Sequence, residues 1–193
     1  VRHQVRPSDE DLWTSITAGD ESAFARLFDR FSRPVYNHAF RLTGSWSTAE
    51  DVTQATFLVA WRRRHDARLV DGSALPWLLV VATNAVRSEW RSARRWLALQ
   101  RRLPAERYAD GDLAEEVSAR LDDERRMAEV LAVVRRLPSA EREAVALCLW
   151  SGVSYRDAAA VLGISEVAVR SRVSRARSRL ARLMPGEIQE GNR

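Results

Sequence analysis

The chain has 193 residues, 46% of them apolar, and carries 31 basic side chains, every one an arginine, against 26 acidic ones, a net charge of +5. That length holds one ordinary domain or two small ones and excludes a large multidomain enzyme. No apolar run approaches the roughly 18 residues a membrane span needs, a single cysteine excludes an internal disulfide, and His3, His38 and His65 are too scattered for a structural zinc.

Charge is unevenly spread. Residues 1–60 carry a net −2, residues 61–104 +7, residues 105–129 −5 and residues 130–193 +5. Two basic blocks with an acidic stretch between them predict two surfaces that face a polyanion and a segment that avoids or mimics one. The absence of lysine reflects genome composition more than mechanism. Val1 to Asp11 lacks the apolar core of a secretory signal, so a reduced, metal-free cytoplasmic protein is expected.

Apolar residues recur at helical spacing throughout, and no stretch alternates with a period of two between turn signals, so the chain is expected to be all-α. A short helix is predicted after Ser8 (Leu12, Trp13, Ile16), ending at Ala18-Gly19-Asp20, then a longer one through Phe24, Leu27, Phe28 and Phe31 that Pro34 kinks or restarts. It continues through Val35, Tyr36, Phe40 and Leu42 to Gly44. Ser47, with Glu50 three positions on, reads as a capping box for a helix running to about Arg64. Residues 65–76 read as a loop turning at Asp71-Gly72, and Pro76 suits the first turn of a helix reaching about Ala98. These elements make a first bundle, residues 1–98.

From Leu99 to Asp123 the pattern weakens, with Pro104, Gly111 and many acids, and this stretch is read as a flexible acidic linker with helical pieces. Periodicity resumes at Met127, Val130, Leu131 and Val134, breaks at Leu137-Pro138, and breaks again at Ser151-Gly152. A second helical domain is placed at residues 124–185, with a tail at 186–193. Within it Ser154 caps a short helix (Tyr155 to Leu162), Gly163 turns the chain, and Ser165 caps a last helix ending before Pro185-Gly186. Helix, tight glycine turn, helix is a helix-turn-helix pattern.

Three constellations carry chemistry. On the last helix, Val169, Val173, Ala176, Leu180 and Leu183 form one stripe, and Arg170, Ser171, Ser174, Arg175 and Ser178 lie opposite, flanked by Arg172 and Arg179. Guanidinium groups and small hydroxyls on an outward face suit a major groove, where arginine pairs with guanine edges or phosphates. After Pro76, Trp77, Asn84, Ser88, Arg91 and Arg95 fall in line while Leu79, Ala82, Val86 and Trp90 lie broadly opposite. A ring, an amide and arginines on one strip suit unpaired bases, although Trp77 taken alone is equally a core tryptophan. After Ser47, Asp51, Gln54, Ala55 and Leu58 share a face of mixed polarity that suits a protein partner or plain solvent. No paired carboxylates, no activated nucleophile and no glycine-rich phosphate loop occur, and Cys148 sits in an apolar helix as an inert thiol, so an enzyme is not expected and no cofactor is implied.

In this order the constellations resemble the extracytoplasmic-function group of RNA polymerase sigma factors of the bacterial sigma-70 family. The resemblance rests on Ala49-Glu50-Asp51 with Gln54 and Phe57, on Trp77-Leu78 with Asn84 and Arg91 to Arg95, and on Ser154-Tyr155 through Gly163 to Val169-Arg170-Ser171-Arg172, and it covers nearly the whole chain. It implies a sigma-two bundle and a sigma-four helix-turn-helix domain on a flexible linker. It implies that Asp51 and Gln54, with Ala55 and Leu58 beside them, grip the clamp helices of the polymerase β′ subunit, the β subunit being a further partner. The loop from His65 to Pro76, with Trp77 and Asn84 near it and Ser88, Arg91 and Arg95 along the same strip, would hold a flipped base of the minus-10 element. Arg170, Ser171, Arg172, Ser174 and Arg175 would read the minus-35 duplex. The acidic linker would thread a polymerase channel, and regulation would come from outside, through an anti-sigma factor. The chain departs from many members at Arg156-Asp157-Ala158-Ala159, at Cys148 and at Ser174. Two other readings fit the helix-turn-helix alone: an autonomous regulator that binds duplex without polymerase, and an adaptor whose arginine faces dock acidic proteins.

Overall fold

The computed structural model describes residues 7–100 and 116–183, and the side chains within them except those of residues 90–100 and 116–123. Among the described residues eight α-helices run in chain order: α1 (Asp9–Thr17), α2 (Glu21–Thr43), α3 (Trp46–Arg62), α4 (Leu75–Gln100), α5 (Glu116–Val134), α6 (Ser139–Ala144), α7 (Tyr155–Leu162) and α8 (Glu166–Leu183). Among the described residues there is no strand, only a single bridge between Val70 and Ser73, and no helix is long and apolar enough to cross a membrane.

Helix starts follow local chemistry. Ser8 and Asp11 form a reciprocal capping box, with Ser8 Oγ accepting from the Asp11 N–H at 3.1 Å and Asp11 Oδ2 accepting from the Ser8 N–H at 3.2 Å. The Ser8 hydroxyl also donates to this carboxylate and holds the Asp11 pKa below its ordinary value. Asp20 accepts from the N–H groups of Ser22 and Ala23, which ends the Ala18-Gly19-Asp20 turn and opens α2. Pro34 does not restart α2: the helix is continuous over 23 residues, and Phe31, Val35 and Ala39 on either side of the proline are all buried. One missing N–H is outweighed by a fully packed face.

The start of α3 differs from the expected Ser47–Glu50 box. The cap is Ser45, whose hydroxyl accepts from the Thr48 N–H, and the helix begins at Trp46. Tertiary contacts set this register. The Trp46 ring stacks on Phe40 and Tyr36 of α2, at 4.4 and 5.8 Å between centroids, which pulls residue 46 into the first turn. Glu124 of α5 then accepts from the freed Trp46 N–H at 2.9 Å, a carboxylate from a distant element at a helix N-terminus.

In the first bundle, α1 to α4 enclose Leu12, Ile16, Leu27, Val35, Val52, Leu78, Leu79 and Val86, all fully buried. Asp71 (φ 48°) and Gly72 (φ 74°) form the expected turn, with Val70 and Ser73 exchanging hydrogen bonds of 3.0 and 2.9 Å. Two successive positive φ values are the signature of a type I′ turn. In the second unit, α5 starts at Glu116, so helix runs through the stretch read as linker up to Asp123, while residues 101–115 lie outside the described residues. After α6 the helix widens into a π-helical segment over Val145–Trp150. Ser154 caps α7 at Asp157, Gly163 (φ 66°) closes it, and Ser165 caps α8 at Ala168, as the helix-turn-helix pattern predicts.

The two units are docked. Gly44 ends α2 in the left-handed region (φ 68°), and a Cβ there would lie 2.8 Å from the Leu131 side chain of α5. His38 reaches Ser151, the Arg41 guanidinium donates to the Trp150 carbonyl left open at the end of the π segment, and Arg87 pairs with Glu143 at 3.1 Å.

Candidate nucleic-acid interface

Three surfaces correspond to the three sequence constellations. On α3, Val52, Thr53, Thr56, Phe57 and Ala60 face the core. The two threonine hydroxyls are satisfied by donating to the carbonyls of Ala49 and Val52, which lets polar residues sit on the inner face. Asp51, Gln54, Ala55 and Leu58 are all exposed on the other side. Leu58 is 50% exposed and adjoins an open apolar cleft that Phe24 and Phe28 of α2 share with Phe57 and Trp61. Phe28 lies 4.7 Å from Phe57 and Phe24 5.1 Å from Trp61, ring to ring. Sequence reasoning missed this cleft. Its signal was present in Phe24 and Phe28, each one position off the buried Ala23–Leu27–Phe31 stripe of α2.

On α4, Leu79, Ala82 and Val86 are buried as expected, and Asn84 and Ser88 are exposed. Trp77 is half-buried: its ring meets Trp13 edge to face at 5.5 Å, while Trp13 donates from Nε1 to the Arg64 carbonyl at 2.9 Å. Trp77 therefore serves the core and also lines a cleft with Asn84, Asp66 and Arg68. The Asp9 carboxylate anchors the loop from below, accepting from the Ala74 N–H at 3.1 Å and pairing with Arg30. The far wall of the cleft is Val161, Leu162 and Gly163, the turn of the helix-turn-helix. The α4 backbone continues through Arg91 and Arg95, whose side chains lie outside the described residues.

On α8, Val169, Val173 and Ala176 are buried and Arg170, Ser174 and Arg175 exposed, with Ser171 and Arg172 intermediate. Arg170 pairs with Glu166 at 2.8 Å, and its guanidinium carbon sits 5.7 Å from the Tyr155 ring centre. Arg175 donates to the Ser171 hydroxyl at 2.9 Å and, with Arg179, flanks the buried Glu141 carboxylate at 3.5 and 3.1 Å. The arginines on this helix are thus of two kinds. Arg170 is oriented within its own helix-turn-helix, and Arg175 ties α8 to α6. Cys148 lies partly buried in the π segment, and desolvation pushes its thiol up to about 11, so it stays a neutral thiol.

An all-helical chain with a helix-turn-helix, an arginine-bearing outer face on its second helix and a separate bundle is a DNA-binding transcription protein. Residues 27–96 match the family model for sigma-70 region 2, and residues 127–180 match that for sigma-70 region 4. The chain is 35% identical over 187 residues to the RNA polymerase sigma factor NccH of Alcaligenes xylosoxydans xylosoxydans, covering 91% of this chain and 94% of that one. It is 34% identical over 184 residues to the ECF RNA polymerase sigma factor BldN of Streptomyces coelicolor, covering 93% of this chain and 67% of that one. The structure of CnrH in complex with the cytosolic domain of CnrY superimposes with a TM-score of 0.68 at 26% identity, over 94% of this chain and 99% of that one. The chain belongs to the extracytoplasmic-function group of the sigma-70 family, the sigma factors that direct core RNA polymerase to promoters and begin DNA-templated transcription.

Proposed function

We propose a division of that activity among the three surfaces. The face of Asp51, Gln54, Ala55 and Leu58 docks the clamp helices of core polymerase, and the β subunit is contacted as well. Trp77, Asn84, Ser88, Arg91 and Arg95, with the loop at residues 65–76, take the unpaired non-template strand of the minus-10 element. Arg170, Ser171, Arg172, Ser174 and Arg175 read the minus-35 duplex. The corresponding domains are residues 1–98 and 124–185, joined by a linker at 99–123 that α5 enters from Glu116 onward and whose acids suit a channel built for nucleic acid, with a tail at 186–193.

The observation that carries this reading is the exposure of Asn84 at mid-helix on α4, beside a half-buried tryptophan and a loop that brings Arg68 to the same cleft. An exposed amide in the middle of a helix is a weak helix former and gains nothing from packing, but it can pair with a base edge. Flipping a base costs a few kcal/mol, and stacking with edge contacts returns roughly 1–3 kcal/mol per base. Strand opening is therefore driven by binding, and no catalytic residue, cofactor or metal is needed. The protein acts in the cytoplasm, where its polymerase is. The complex of CnrH with CnrY supports a protein regulator for this chain too, an anti-sigma factor in the terms of the family.

Run-off transcription by core polymerase with this protein, on fragments of its own genome, tests the reading. Discrete transcripts sharing two spaced upstream elements are expected, and Asn84→Ala should leave polymerase binding intact while impairing opening. Tight, sequence-specific duplex binding with no affinity for core polymerase would instead identify an autonomous regulator.

A further inference from the structure

The outer face of α8 carries one side chain that neither the core nor the arginine pattern explains. Val167, in the first turn, is 75% exposed, against 50% for Leu58 and 40% for Phe28 and Val130. A β-branched side chain at an exposed helical position is not favoured by propensity, and its exposure costs hydration free energy that a polar residue would avoid.

Its position is informative. At 100° per residue Val167 stands roughly 180° from the buried Ala176, within about 40° of Ser171, Ser174 and Ser178, and about 60° from Arg170. It is therefore the centre of the arc, and the residues below it are serines, too short to hold a groove away. The first turn is also well defined: Ser165 accepts from the Ala168 N–H at 3.2 Å, and Glu166 holds Arg170 at 2.8 Å. In a helix-turn-helix the N-terminal residues of the second helix are the ones that meet base edges. An isopropyl group cannot bind a phosphate or pair with a base edge. The major groove offers one apolar feature, the C5 methyl of thymine.

We propose that Val167 is a specificity-determining residue that packs on a thymine methyl group in the minus-35 duplex, with Arg170 contacting the neighbouring base pair or phosphate. This rests on α8 being the promoter-reading helix. The contact selects thymine over cytosine and uracil at one position and adds no charge, so it contributes sequence preference without steepening the salt dependence of binding.

Holoenzyme assembled from core polymerase and the full chain is titrated onto promoter fragments in which each thymine of the upstream element, on either strand, is replaced singly by deoxyuridine. That change removes the methyl and keeps every hydrogen-bonding group. At one position the wild-type holoenzyme should lose about fourfold in affinity, the value of one buried methyl. Val167→Ala should lose a similar factor on unmodified DNA and show no further loss with deoxyuridine at that position, while responding like wild type elsewhere. Additive losses at every position, no effect of Val167→Ala, or an upstream element without thymine would each overturn the inference. Arg170→Ala separates the two levels: if it abolishes upstream recognition while the Val167 cycle shows no coupling, only the methyl contact falls. If neither variant affects upstream recognition, the assignment of α8 falls as well.

Discussion

Nδ1 of His38 on α2 lies 2.7 Å from the hydroxyl of Ser151, 113 positions along the chain and in the other helical unit. The opposite ring nitrogen lies 2.9 Å from Thr83 Oγ1, and the Thr83 hydroxyl itself donates to the Leu79 carbonyl at 2.9 Å. Thr83 therefore has only its lone pairs to offer His38, which fixes the proton on Nε2 and leaves Nδ1 to accept from Ser151. Both nitrogens of a neutral imidazole are satisfied at 1% exposure, and the two units are linked through it.

That arrangement predicts acid sensitivity. Burial first, and the nearby Arg41 charge second, push the His38 pKa down to about 4 from an ordinary 6.5. Because the depressed value belongs to the folded state, protonation favours the exposed ring. Stability from this site is complete above about pH 6.5 and is lost as pH falls towards 4, with a slope of up to about 1.4 kcal/mol per pH unit. Glu143 and Arg87 also lie at this junction but form an ion pair with each other. Thermal unfolding from pH 7.5 to 4.5 should show a steeper fall in Tm for the wild type than for His38→Gln. Parallel curves would contradict this account.

Under the proposed assignment of Asn84, the docked arrangement would compete with base capture, since a base entering beside Asn84 meets the wall formed by Val161, Leu162 and Gly163. Arg87→Glu places two carboxylates where an ion pair stood and should weaken docking by about 2 kcal/mol. Free protein carrying it should bind a labelled single-stranded minus-10 oligonucleotide more tightly than wild type and show a larger radius of gyration by X-ray scattering. Adding Glu143→Arg restores the pair and should reverse both changes.

Gly44 and Gly163 both sit at positive φ, but only Gly44 is crowded: a Cβ at Gly163 meets nothing within 4 Å, whereas at Gly44 it meets Leu131 at 2.8 Å. Gly163→Ala should cost about 1–2 kcal/mol, the left-handed penalty alone. Gly44→Ala adds displacement of Leu131, which is 1% exposed, and should lower the Tm by more than Gly163→Ala does. Equal effects would mean that α5 yields at no cost.

The α3 face proposed to dock polymerase, Asp51, Gln54, Ala55 and Leu58, is exposed and lies off the buried core, so it can be altered without unfolding the bundle. Leu58→Arg should reduce core polymerase affinity by tenfold or more, a loss of about 1.4 kcal/mol, with an unchanged Tm. Phe28→Ala tests whether the adjoining cleft extends that face, and a drop in affinity comparable to that of Leu58→Arg would include it.

What could be read from the sequence follows the range of the interactions that decide each feature. Ser8, Ser154, Gly163 and Ser165 act on their own turns, and their helix boundaries fall where composition puts them. The α3 start does not, because Ser45 and Ser47 are equally good caps and the choice is made by the Tyr36 and Phe40 rings and by Glu124. The start of α5 escapes periodicity: among its described side chains the buried apolar ones, Leu131 and Val134, lie at the far end, and the sequence from Glu116 to Asp123 is mostly charged and polar. The exposed face of α3 and the outer arc of α8 follow from helical period alone. The apolar cleft at Phe28, the His38 bridge and the Glu141 anchor depend on contacts between elements, which no local pattern encodes.

That anchor distinguishes the arginines of α8. Glu141 is 5% exposed, and its carboxylate is compensated by Arg175 and Arg179 from a neighbouring helix. Removing one partner of a buried carboxylate leaves charge that is poorly solvated, whereas Arg170 pairs at the surface with the half-exposed Glu166, an interaction of small net value. Arg175→Ala should therefore lower the Tm, by about 2–4 °C per kcal/mol lost in a chain of this size, and weaken promoter binding only in part. Arg170→Ala should leave the Tm unchanged and weaken binding to the minus-35 element by about tenfold, within the roughly 1–3 kcal/mol of a specific arginine contact. Measuring both quantities for both variants is decisive, because a purely electrostatic role for α8 predicts equal losses of binding from the two substitutions and no difference between specific and non-specific DNA.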